Sequence, residues 1–317
     1  AMRAGGVPPV SVNIFACNAG SLADFMLRIG LPLFTGPKNI GWCCWETSRL
    51  PESWRGGVSL LDEIWVADSE QQKLFSAAAD KPVVVMPLPI NLAEPAAHVT
   101  RTALEIEENA FLFLQVFDAN DSISRKNLMG ALQAFRHAFP GDENVRLLIK
   151  MRGTSKLLSA REDAVWARLR RRAAKDVRIQ FLPEEFDDAE QAALLGLADT
   201  VVSLHRASAW GASLLEAAMR GVPVIASDCG GAIAHIPPAL KTLVPVAPCS
   251  AVFDANESMD RELGHHWHDP DLAAAAKAMR AAFEGGRRKK SPTLAIATTF
   301  SPAACGERMA KRLREAR

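Results

Sequence analysis

Tyrosine is missing altogether from the 317 residues, and other absences narrow what the chain can be. Lys and Arg total 37 against 36 Asp and Glu. No basic excess argues for nucleic acid, and no acidic excess for a disordered tail. The longest apolar runs, Val83 to Met86 and Phe111 to Phe117, are strand length and far short of a membrane span. The N-terminus lacks the charged segment and apolar stretch of a secretory signal. None of the cysteines (Cys17, Cys43, Cys44, Cys229, Cys249, Cys305) forms a C-x-x-C pair. Adjacent Cys43 and Cys44 would face opposite sides of a strand, a poor geometry for one metal. His265, His266 and His268 have only Asp269 beside them, which predicts a polar loop and no zinc site. Free thiols predict a reducing, cytoplasmic setting.

What is present is ordinary globular composition, 49% hydrophobic and 23% charged, at a length that predicts two domains. From about residue 110 strands and helices alternate. Phe111–Phe117, Val145–Ile149, Val177–Leu182, Thr200–Leu204, Val222–Ala226 and Leu243–Val246 read as strands. Helices are expected at Arg125–Phe139, where Leu128, Leu132, Phe135 and Phe139 share a face, and at Ser159–Ala174, Asp187–Leu197 and Gly211–Arg220. Gly221 is placed to end the last of these. Apolar strands without alternation, spaced by helices, predict a doubly wound parallel sheet, with its ligand crevice beyond the strands' carboxyl ends.

The first 95 residues supply about half of another such domain, with strands at Val10–Phe15, Asn39–Trp45, Glu63–Ala67 and Pro82–Met86 and a helix at Asp68–Ala79. Asp271–Phe283 and Ser301–Ala316 read as helices, the second capped by Ser301 with Pro302 at its first position. Its Cys305, Met309 and Leu313 form one stripe. The basic run Arg287–Lys290 reads as a solvated loop.

The most informative segment runs from Ser203 through His205, Ser208, Gly211 and Glu216 to Ala226. It reads strand, tight polar loop, helix, glycine stop, strand. Such a loop delivers free backbone N–H groups at a helix start, a ready anion site. On the helix Glu216 falls opposite Leu215 and Met219, where it could pair with Arg220 at i,i+4.

This segment closely resembles the donor-binding stretch of retaining GT-B glycosyltransferases of family 4. There the loop reads S-L-H-R-x-E-G-F-G and the helix runs into A-x-x-x-G-x-P-V-I-A, with a second Glu eight residues after the first. Phe117-Asp118 through Ser124-Arg125-Lys126-Asn127 resembles the first strand–loop–helix of the family's donor domain, and Leu147–Lys150 its second strand. Asn39 through Trp45-Glu46, then Pro51, Trp54 and Asp62 to Ser69, resembles the second half of the acceptor domain. The resemblance implies a GT-B-like α/β fold: a doubly wound donor domain at 96–264, a reduced N-terminal domain at 1–95, and helices in 265–317 packing back across the domains. It implies transfer of a sugar, with retention, from a UDP- or GDP-sugar to a glycan or lipid-linked acceptor, without cofactor or metal. Nucleic acid is not an expected partner. A peripheral-membrane or larger-protein context is compatible with it.

Carried over by position, Lys126 with Arg125 matches the diphosphate-binding cation, and Glu216 the carboxylate on the ribose hydroxyls. Gly211 and Ala212 match the phosphate-facing amides. Lys150 and His205 are placed near the donor, and Trp45 and Glu46 on the acceptor side. Trp42, Trp45 and Trp54 are either platforms for sugar faces or core packing. The sequence departs from the family where its first Glu is replaced by Ser208, a shorter and weaker acceptor. It departs again where an arginine is expected before the lysine and Asn120 stands near. These departures leave open a second reading, a glycosyltransferase-like binding module with lost or reduced turnover.

Overall fold

Short apolar segments pair as parallel strands in the computed structural model, which describes residues 11–118, 121–141, 143–152, 160–251 and 264–315. The chain divides into two compact units, Ala1–Pro89 with Pro302–Arg317, and Ile90–Ser301. In the first, β1 (Val12–Phe15), β2 (Lys38–Trp42), β3 (Glu63–Val66) and β4 (Val83–Val85) lie in that order in an all-parallel sheet. Between them run α1 (Gly20–Ile29), α2 (Arg55–Ser59) and α3 (Ser69–Ala78). The strand pattern gave no sign of α1, a ten-residue helix with only Leu22 buried. Asp68 caps α3, its side chain accepting from the Glu70 and Gln71 amides.

The second unit is built on a six-stranded parallel sheet. Its strands are β5 (Phe111–Asp118), β6 (Val145–Arg152), β7 (Ile179–Leu182), β8 (Thr200–Ser203), β9 (Val224–Ser227) and β10 (Lys241–Val244), ordered β10-β9-β8-β5-β6-β7. The order reverses beside β5, so the topological switch point lies between the carboxyl ends of β5 and β8. The crossovers are α4 (Ile123–Lys126), α5 (Leu128–Ala138), α6 (Ala160–Ala173), α7 (Asp188–Leu197), α8 (Ala212–Met219) and α9 (Ala232–His235).

Three expectations change here. The single helix expected over Arg125–Phe139 is two, because Asn127 adopts a left-handed conformation (φ 53°) and its side chain caps α5 by accepting from the Gly130 amide. That break sets Arg125 and Lys126 on a separate short turn. The histidine-rich stretch is no loop. Residues Val246–Ser250 (β11) and His266–Pro270 (β12) pair antiparallel, with Trp267 buried between exposed His266 and His268. A buried tryptophan among polar neighbours is a half-buried strand.

The third concerns the basic run, which is tied down. Beyond α10 (Leu272–Glu284), Arg287 donates to the Ala110 carbonyl (2.6 Å) and lies 3.4 Å from Asp199, while Lys290 donates to the Gly196 carbonyl. Asp199 also pairs with buried Arg101 at 2.8 Å and accepts from the Leu112 amide at 2.8 Å.

After α11 (Leu294–Phe300), α12 (Pro302–Glu315) belongs to the first unit. Met309 and Leu313 pack against Ile40, Trp65 and Met86. Arg312 donates to both oxygens of fully buried Glu63 (2.8 and 3.0 Å), which Lys38 and the Trp65 indole also reach at 2.8 Å. Burial alone would raise the Glu63 pKa; the hydrogen bonds from Arg312, Lys38 and Trp65 outweigh it and hold the carboxyl at about 2.

Candidate functional site

The carboxyl ends of β5 and β8 meet at one place. α4 follows β5, and the loop from Leu204 to Gly211 follows β8. Hydrogen bonds from Arg206 join the two: its amide donates to the Arg125 carbonyl (2.7 Å), and its Nη1 to the Ser124 carbonyl (2.6 Å). Arg125 Nη1 reaches the Ala207 carbonyl at 3.4 Å. Arg125 and Lys126 therefore stand beside the segment that carries Ser208 and the start of α8.

That start is a helix N-terminus of the kind that can cradle an anion. Gly211 takes a left-handed conformation (φ 79°), and a Cβ there would come 2.8 Å from the Ala232 Cβ, so only glycine fits. The Leu214 and Leu215 amides both turn to the Gly211 carbonyl (3.1 and 3.3 Å), and the Ala212 and Ser213 amides lie ahead of these first helical bonds. A Cβ on Gly211 would lie 3.6 Å from Ser208 Oγ, which puts that hydroxyl at the cradle's rim.

His205 is a brace. It is buried, its Nδ1 lies 2.9 Å from Ser203 Oγ, and its Nε2 lies 2.9 Å from the Cys229 carbonyl. A carbonyl only accepts, so the proton is assigned to Nε2 and the ring is the neutral tautomer. Burial, together with the Lys126 and Arg125 charges, pushes its pKa down to about 4. Both nitrogens are engaged within the protein, where the sequence had placed His205 near the donor. Its bond to Cys229 draws in the next turn, where Gly230 (φ 90°) lies so close that a Cβ would meet the Ser208 carbonyl at 2.8 Å.

Lys150 is likewise sealed. Its ammonium donates to the Met151 carbonyl (2.6 Å) and the Glu184 carbonyl, lies 4.5 Å from the Phe186 ring centroid, and has 0% exposure. Burial lowers its pKa. Expected at the donor, it instead pins the loop after β7 to β6.

Glu216 is half-buried on α8, and burial raises its pKa, with Arg152 and Arg220 opposing. The i,i+4 pair with Arg220 does not form among the described residues: Arg220 Nη2 turns to the Ala93 carbonyl at 2.9 Å. A carboxylate part-desolvated without a direct cation costs stability. Because its folded pKa lies above the ordinary 4.5, the native state holds the proton more tightly, and stability falls as pH rises through that window. Glu216→Gln is therefore expected to melt higher than wild type at pH 7 and to lose that advantage below pH 4.5. Equal melting temperatures at pH 7 would show the carboxylate costs nothing.

In the first unit, where the resemblance placed the acceptor, Trp45 and Trp54 are core. They are 7% and 2% exposed, their rings pack at 4.6 Å, and the Trp45 indole donates to the Arg49 carbonyl (2.7 Å). Neither face is offered to a sugar. Trp42 is half-buried and meets Trp65 edge-on, and Glu46 is half-buried beyond β2. Asn120 lies outside the described residues.

No sequence pattern announced the β11–β12 strand pair at this site. The His268 amide donates to the Arg206 carbonyl (2.8 Å), and Asp269 pairs with Arg206 Nε at 2.7 Å. Asp269 thus steadies the cradle loop. Among the described residues no group of three or more His, Cys, Asp or Glu could hold a metal ion, and no helix is long and apolar enough to cross a membrane.

A doubly wound sheet with cations and helix-start amides at its switch point, accompanied by a second parallel α/β unit, defines a GT-B glycosyltransferase fold. Solved structures agree. Sucrose-phosphate synthase from Thermosynechococcus elongatus has a TM-score of 0.65 at 17% identity, covering 95% of this chain and 72% of its own. An α,α-trehalose-phosphate synthase (UDP-forming) from Burkholderia xenovorans, in complex with glucose-6-phosphate, has 0.68 at 11%, covering 96% and 75%. Anabaena HepE, in complex with UDP and glucose, has 0.62 at 16%, covering 93% and 74%. No curated protein matches by sequence. Residues 66–313 match the model of the family described as Family 4 Glycosyltransferase in conflict systems, and the chain belongs to that family.

Proposed function

We propose that this glycosyltransferase moves a sugar from a UDP- or GDP-sugar to a glycan or lipid-linked acceptor, with retention, in cytoplasmic polysaccharide or glycoconjugate synthesis. The observation that carries the reading is the joining of the Ser124–Arg125 turn, which Lys126 follows, to the loop after β8 by the hydrogen bonds of Arg206. Negative charge accumulates on the diphosphate as the glycosidic bond breaks. Two cations and the α8 amides stabilise that charge where it develops. The acceptor oxygen attacks from the face the diphosphate leaves, and a diphosphate oxygen takes the acceptor proton, so no separate base is required. Glu216 accepts from the ribose hydroxyls. The Anabaena relative's complex with UDP and glucose supports UDP as the nucleotide.

Lys126→Ala is expected to weaken UDP binding by about 1.5–3 kcal/mol, the range for a hydrogen bond to a charged group. Calorimetry measures this, and an unchanged affinity would take the lysine out of the site. Ser208 favours a second reading, binding with reduced turnover, because a serine gives the sugar a weaker acceptor than a carboxylate. Incubation with UDP-glucose or GDP-mannose and a glycan acceptor, followed by mass spectrometry, separates the two. Transfer supports the enzyme, and tight nucleotide binding without product supports the module.

A further inference from the structure

Asp121 stands between the two cations that the donor diphosphate would use. Its Oδ1 accepts from Arg125 Nη2 and from the Ser122 amide (2.9 Å), and its Oδ2 lies 3.1 Å from Lys126 Nζ. One carboxylate meets both cations, an oxygen to each, as two oxygens of a phosphate would. Local structure does not demand this. The cap of α4 is Ser122, whose Oγ accepts from the Arg125 amide at 3.0 Å.

A contrast within the same unit is informative. The Arg101–Asp199 pair is sealed, its side chains 7% and 6% exposed. Lys126 and Asp121 are 26% and 20% exposed. Water, and with it a phosphate oxygen, reaches the second pair.

We propose that Asp121 is an internal counter-ion, which occupies the Arg125–Lys126 pair in the unliganded protein and yields it to the donor's diphosphate. The inference rests on reading that pair as the diphosphate cradle. Binding then exchanges one anion for another, and the affinity is the difference between them. After transfer the nucleoside diphosphate holds the acceptor's proton, and once that proton passes to solvent it carries one more negative charge than it did within the sugar nucleotide. A carboxylate that returns to the same cations offsets that gain and speeds product release. Asp121 thereby tunes diphosphate exchange without touching the sugar.

The test is a calorimetric titration of wild type, Asp121→Asn, Lys126→Ala and the double variant with UDP and with inorganic pyrophosphate, which needs no base recognition. Asparagine keeps the shape and an acceptor for the Ser122 amide while removing the charge. Asp121→Asn is expected to bind both probes about five- to ten-fold more tightly. Its affinity should also fall more steeply with salt, since the site carries one more positive charge. Lys126→Ala should weaken binding, and in the double variant the gain from Asp121→Asn should shrink.

If Asp121→Asn leaves affinity unchanged or weakens it while Lys126→Ala weakens it, the cradle stands and the counter-ion role is wrong: Asp121 then only aligns the cations. If wild type binds neither probe, or Lys126→Ala changes nothing, the cradle reading fails and this inference fails with it. Thermal unfolding checks the fold of each variant, and Asp121→Ser carries the same titration should Asp121→Asn not fold.

Discussion

Asp199→Ala should cost about 3–5 kcal/mol of stability, the range for removing one partner of a buried ion pair. The carboxylate holds Arg101 at 2.8 Å, accepts from the Leu112 amide at 2.8 Å, and has Arg287 at 3.4 Å. Its loss leaves a guanidinium and an amide without their acceptor in a place water does not reach. Arg101 keeps its bonds to the Ala110 and Leu197 carbonyls, which neutralise nothing. Against a total of roughly 5–15 kcal/mol for a native domain, this is a large fraction. Denaturant unfolding of the two proteins measures it. A loss below about 1 kcal/mol would place the pair with weak surface bridges.

Gly230→Ala should leave the protein folded, though less stable, and disable the site. The residue sits at φ 90°, and a Cβ would lie 2.8 Å from the Ser208 carbonyl and 3.5 Å from His205 Nε2. Left-handed backbone costs a non-glycine residue about 1–2 kcal/mol, an appreciable part of a total of roughly 5–15 kcal/mol but not enough to unfold the domain. The steric contact falls on the loop that carries Ser208 and leads into Gly211, and relief requires that loop or the turn to shift. A displacement of about 1 Å at a reacting centre costs on the order of a hundred-fold in rate. The expected result is a folded protein that melts several degrees lower, with a transfer rate lower by about that factor. Full activity would mean the turn moves away from the cradle without consequence.

The strand–helix alternation of the second unit was legible because its strands are apolar throughout and its helices periodic. Phe111–Phe117, Val145–Ile149 and Thr200–Leu204 fall on observed strands, and Gly211 on the start of α8. The order of Arg125-Lys126, Ser208 and Glu216 along the chain was legible too, because the loop-to-helix signature is local. What failed were inferences that residue type alone had to carry. Lys150 and His205 look like ligand-binding groups in one dimension. Burial engages both within the fold, one on carbonyls and an aromatic ring, the other between Ser203 and Cys229. Trp45 looks like a sugar platform, and packing against Trp54 makes it core. The histidine cluster hid a strand because its single inward residue, Trp267, gives too short an alternation to read.

By itself the sequence determined most of the strand–helix order of the second unit, its parallel sheet and the residues proposed to hold a diphosphate. These follow from local periodicity, glycine placement and turn chemistry, which neighbouring residues fix. Only the tertiary structure decided which of those residues face the cradle and which brace it. Strand order sets that division by bringing Ser124 and Arg125 against Arg206 and Ala207 across 80-odd residues, and a side chain's charge and availability depend on what the fold packs around it.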